Sequence, residues 1–85
     1  MDTKEIETLL KEQLSLAEVH VKGDGSHYSV IAVSDAFADM SRVKRQQAVY
    51  APLNALIANG TLHAVSIKTY TEKDWQRERL LNMPQ

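Results

Sequence analysis

The chain is expected to fold as a single α+β domain, ordered α-β-β-α-α-β-α, around a mixed three-stranded sheet. Three observations lead there. Apolar residues recur at helical spacing in 3–14 and 41–59. In 16–33 and 61–70 they alternate with polar residues or run together as β-branched side chains. Glycine-rich turn chemistry splits the first of these β-like stretches in two. No linker, repeat or low-complexity segment interrupts the 85 residues, so the domain is taken as 1–85.

Ile6, Leu9, Leu10 and Leu14 share one helical face behind Asp2 as N-cap and Glu5 three positions on, which makes an amphipathic helix. Leu16–Lys22 then alternates, with Val19 and Val21 inward and His20 and Lys22 outward, where His20 reads as solvated. Gly23-Asp24-Gly25-Ser26 is a turn, and Tyr28–Val33 is a second strand, giving a hairpin with His27 at its tip. Ser34–Met40 reads as a turn of helix around Phe37. Ser41 caps a long helical segment that ends at Asn59-Gly60, with Val43, Gln47, Tyr50 and Leu53 on one face, joined by Leu56 and Ile57. Pro52 removes a backbone donor from it, which predicts a kink or a break into two helices. Thr61–Tyr70 is the third strand, opened by His63, with Val65 and Ile67 on one face. Thr71-x-x-Asp74 starts a last helix whose Trp75 anchors it to the sheet. A strand–helix–strand unit from Tyr28 to Tyr70 makes a parallel pair by right-handed crossover. Helices on one sheet face are expected to bury Ile6, Leu10, Val30, Leu53 and Ile67.

With no cysteine, the chain can form neither a disulfide nor a thiolate metal site, so the fold rests on its core. That composition is compatible with a reducing cytoplasm, the expected location. Met1-Asp2-Thr3-Lys4-Glu5 lacks the basic start and apolar run of a signal peptide, and no apolar stretch approaches the roughly 18 residues that span a membrane. A net charge of −1 provides no general attraction to nucleic acid or anionic lipid, so such binding needs a local patch. Nucleophile-elbow, P-loop and dinucleotide fingerprints are missing, and the acidic residues scatter over exposed helix faces, so no enzyme is expected.

Two features carry candidate chemistry. His27 and His63 stand at the ends of predicted strands, where an imidazole can reach solvent, a partner or a metal. They read either as surface histidines or as a ligand pair on one rim of the sheet. Strand order decides whether they share an end. Two imidazoles cannot close a four-ligand site. The second feature is the run Arg42, Lys44 and Arg45 just after the Ser41 cap, where the helix dipole disfavours cations by roughly 0.3–1 kcal/mol each. It suggests an anion, an acidic partner or a phosphate backbone, and Lys68 and Lys22 are positioned to extend it.

The stretch from His63 through Trp75, preceded by Ser41-Arg42-Val43-Lys44-Arg45-Gln46-Gln47-Ala48-Val49-Tyr50, resembles the BolA family over nearly the whole chain. The Gly-Asp-Gly-Ser-His turn and the Arg-Gln-Gln segment are similar to one branch of it in particular. The resemblance implies a fold like a class II KH domain. It also implies partnership with a monothiol glutaredoxin and a [2Fe-2S] cluster shared with that protein and its glutathione, in iron–sulfur trafficking or in iron and stress sensing. The family's C-terminal histidine ligand matches His63, and its His or Cys ligand in the loop between the first strands matches His27. A cluster of this kind needs four terminal ligands, so a chain offering only imidazoles depends on a thiol-bearing partner. Some members are DNA-binding regulators, but Gln46 and Gln47 stand where other branches carry a basic Arg-His-Arg pattern. The glycines, Gly23, Gly25 and Gly60, cannot form the Gly-x-x-Gly clamp of KH domains, which leaves DNA contact through the Arg42–Arg45 helix as the alternative. On its own the chain is expected to be a monomer or weak homodimer.

Overall fold

The computed structural model describes residues 2–24 and 27–82. Helix α1 (Thr3–Gln13) is followed by strands β1 (Glu18–Asp24) and β2 (His27–Val33) and by a 3-10 helix at Asp35–Asp39. Helix α2 (Arg42–Tyr50), a 3-10 turn at Ala51–Leu53 and helix α3 (Asn54–Ala58) form the crossover to β3 (Ala64–Tyr70), and α4 (Glu72–Asn82) ends the fold. The expected element order is therefore present. Pro52 breaks the long helical segment in two, as its missing N–H requires.

Local chemistry sets the boundaries. The Asp2 carboxylate accepts from the Glu5 amide at 2.8 Å, the Ser41 hydroxyl from the Lys44 amide at 3.2 Å, and the Thr71 hydroxyl from the Asp74 amide at 3.3 Å. Gly60 ends α3 with a φ of +83°, a conformation that side-chain-bearing residues rarely adopt. The sheet order is β1-β2-β3, antiparallel then parallel. Gly23 and Asp24 continue β1 to the hairpin, and the Gly25-Ser26 part of the expected turn lies outside the described residues. Strand β3 begins at Ala64, three residues later than expected, because Thr61 and Leu62 are used in the turn out of α3: Leu62 N–H returns to Leu56 O and the Thr61 amide to the Asn59 side chain.

One sheet face presents Val19, Val21, Val30 and Ala32 to Ile6 and Leu10 of α1 and to Phe37, Val49, Leu53 and Leu62, all buried. Burying each large aliphatic side chain stabilises the fold by roughly 1.5–3 kcal/mol. Two expectations need correction. Ile67 packs against this core but is only half-buried, because β3 is an edge strand. The helices also do not all lie on one face. Trp75 of α4 lies 5.4 Å from the His20 ring and 5.5 Å from that of Tyr70, on the opposite side from Val19 and Val21. On that side Val33 is also fully buried. The sheet is thus covered on both faces.

The α2 face differs as well. Val43 is 64% exposed and Gln47 is exposed, whereas Arg45, Val49 and Leu53 form the inward row. The short helix lies beside β3 rather than flat on the sheet, and its side chains satisfy the strand's edge. Gln46 Nε2 donates to Ile67 O at 2.9 Å and Tyr50 Oη to Val65 O at 2.9 Å. At the other edge the Glu7 carboxylate accepts from the Val21 amide at 3.0 Å. Edge strands left bare invite unwanted pairing, and polar side chains from α1 and α2 occupy these positions.

Candidate functional site

The parallel register of β2 and β3 sets His27 opposite Ala64, so His63 is the next residue outward at the same end of the sheet. The two histidines therefore share an end, the point that the sequence left open. Both are exposed. Ser66, two residues beyond Ala64 and on the same face as His27, has its Oγ 3.0 Å from His27 Nε2. Such a contact fixes the ring, and with the proton on Nε2 it leaves the Nδ1 lone pair available, as hydrogen-bonded histidine ligands commonly do. Sequence reasoning missed Ser66, because only the register reveals it.

Among the described residues, no group of three or more His, Cys, Asp or Glu side chains could hold a metal ion. Among the described residues the candidate donors at this end are the two imidazoles, and the sequence has no cysteine to supply a thiolate. That set is incomplete for a closed site but fits one half of a centre shared between two molecules.

His20 is less simply solvated than expected. Its Nε2 lies 3.1 Å from a Glu18 carboxylate oxygen and its ring tilts against Trp75, whose Nε1 is buried with no hydrogen-bond partner. His20 thus belongs to the docking of α4, on β1 and away from His63. Where α4 begins, Asp35 Oδ1 accepts from the Glu72 amide at 3.0 Å. A hydrogen bond to the Asp35 carboxyl, then that group's charge, burial and the charge of Glu18 raise the Glu72 carboxyl above its ordinary value. Burial, with the charge of Glu78, likewise raises the Tyr70 phenol.

The basic residues divide. Arg45 Nε donates to Phe37 O at 2.9 Å and to Met40 O at 3.3 Å, so this side chain braces the preceding 3-10 helix. Arg42, Lys44 and Lys68 are exposed. Arg42, Arg45 and Lys68 border one cleft of about 580 Å³ between α2 and the later half of β3. Lys44 is absent from its lining. Lys22 lies on β1, at the far edge of the sheet, opposite Ser29 of β2, and does not extend this surface. No helix among the described residues is long and apolar enough to cross a membrane.

A family model described as BolA-like protein matches residues 5–74. The chain is 57% identical over 82 residues to the acid stress protein IbaG of Escherichia coli strain K12, covering 96% of this chain and 98% of that protein. That relative represents the branch suggested by the glycine turn and the Arg-Gln-Gln segment. Among solved structures, a BolA homologue from Coxiella burnetii superposes with a TM-score of 0.78 at 28% identity, over 91% of this chain and 99% of that one. The BolA domain of SufE1 from Arabidopsis thaliana gives a TM-score of 0.73 at 30% identity, over 87% and 98%. By sequence, sheet order and three-dimensional fold together, this chain belongs to the BolA family.

Proposed function

We propose that this protein is a non-enzymatic adaptor that associates with a monothiol glutaredoxin and co-ligates a [2Fe-2S] cluster through His27 and His63, serving iron–sulfur trafficking or iron and stress sensing. The observation that carries this reading is the parallel register, which brings two exposed imidazoles to one end of the sheet. The chain has no thiolate ligand of its own, since it lacks cysteine, so the remaining positions fall to the glutaredoxin thiolate and its glutathione. When bound, such a centre supplies iron and sulfide that can be passed on or lost. His27, oriented by Ser66, and His63 contribute neutral nitrogen donors whose lone pairs are lost on protonation. A half-site of this kind suits a reversible attachment.

The test is spectroscopic. The protein is mixed with a monothiol glutaredoxin, iron, sulfide and glutathione, and its visible and circular-dichroism spectra are compared with those of His63→Ala and His27→Ala. Each substitution is expected to alter the spectrum and to weaken the heterocomplex only when cluster is present. Unchanged spectra in both variants would remove the histidines from the centre.

DNA regulation through Arg42, Lys44, Arg45 and Lys68, the other expectation, has less support. The chain's net charge is −1, and Lys44 lies outside the cleft that Arg42, Arg45 and Lys68 border.

A further inference from the structure

The later half of β3 is an edge that α2 leaves open. Val65 O and Ile67 O accept from Tyr50 and Gln46, so these carbonyls face α2, while Tyr70 O faces the other way and accepts from the Ser34 amide. With a strand period of two, Thr69 turns its amide and carbonyl toward α2, like Val65 and Ile67. No side chain from α2 reaches it, because Arg42, one turn before Gln46, and Arg45 flank a cleft there instead. Met40 and Lys68 complete the walls, and no acidic residue lines the space. Among the described residues, no ion pair engages Arg42, Arg45 or Lys68. The Arg45 guanidinium is held in place through Nε, which leaves its terminal nitrogens free to donate.

From this juxtaposition we infer a docking site for an extended acidic peptide segment, which adds to the sheet along Lys68–Tyr70 and sets its carboxylates against Arg42, Arg45 and Lys68. Main-chain hydrogen bonds to Thr69 supply attachment, and the three cations supply selection for acidic side chains. The cleft lies about five residues along β3 from His63, roughly 16 Å at strand rise, so the peptide leaves the histidine end open. The surface favours a peptide over nucleic acid. It offers backbone pairing groups at strand spacing and only a few cations, on a chain of net charge −1. Nothing in this inference depends on the histidines, so it and the cluster proposal stand or fall separately.

The test is a titration of the 15N-labelled full chain with an acetylated, amidated Glu-Val-Glu-Val-Glu-Val peptide, followed by NMR. Amides of Ile67–Tyr70 are expected to shift and saturate, and Thr69 amide exchange to slow by about tenfold as it gains a partner. Arg42→Glu and Lys68→Glu, both at exposed positions, should each weaken binding about tenfold, and Lys22→Glu on the far edge should leave it unchanged. The inference is overturned if the matching Lys-Val peptide produces the same shifts, or if no shift occurs at millimolar peptide. It is equally overturned if Thr69 exchange is unaffected, or if a single-stranded oligothymidine moves these amides while the acidic peptide does not.

Discussion

At Arg45, one guanidinium nitrogen is shared between the carbonyls of Phe37 and Met40, closing off the C-terminal end of a 3-10 helix whose other end Ser34 caps. A lysine carries the same charge but cannot reproduce this forked, planar contact. Arg45→Lys is therefore expected to cost about 1–2 kcal/mol in urea unfolding, against less than about 0.5 kcal/mol for Arg42→Lys at an exposed site. Equal costs would mean that the carbonyl contacts do not matter to stability. His27 shows the opposite relation between side chain and scaffold. Its partner, Ser66, sits on a strand remote in sequence, so the ring's orientation depends on tertiary pairing and not on its neighbours in the chain.

At the level of elements, the fold was legible wherever one local rule decided. Asp2, Ser41 and Thr71 cap the helices they were expected to cap, Pro52 breaks the long segment, and Gly60 ends it. Gly60→Ala is expected to cost about 1–2 kcal/mol, because alanine must adopt a left-handed φ; thermal unfolding would show it, and an unchanged midpoint would mean the turn rearranges freely. Misreadings arose where a neighbouring element decides. The apolar periodicity of α2 pointed to Val43, but α2 packs beside an edge strand, where Gln46 and Tyr50 are needed more than another aliphatic contact. Similarly, Trp75 was readable as an anchor, whereas the face to which it anchors α4 depends on how the chain leaves β3. The candidate site was half legible. Strand ends exposed the two histidines, but their company at one end required the strand order, and Ser66 required the register.

Across the whole molecule, α4 is tied to the rest at the Asp35–Glu72 contact and at Trp75. The folded state raises the Glu72 carboxyl above its ordinary value of 4.5, chiefly through Asp35, so folding favours the protonated form. That contribution is fully present below 4.5 and is lost as pH rises through the elevated value. Glu72→Gln, neutral at every pH, should be more stable than the parent at about pH 7 and lose this advantage toward acid. Urea midpoints across the pH range would check this; parallel curves for parent and variant would show that Glu72 does not couple to folding.

The antiparallel partner of β2 lies just across a short turn, whereas its parallel partner arrives only after the entire α2–α3 crossover. Hairpins close in about microseconds, and contacts between distant segments come later because longer loops must first be ordered. The shared end of His27 and His63 accordingly depends on the longer of the two closures. A polypeptide in which that crossover is unformed would present scattered nitrogens with no mutual address.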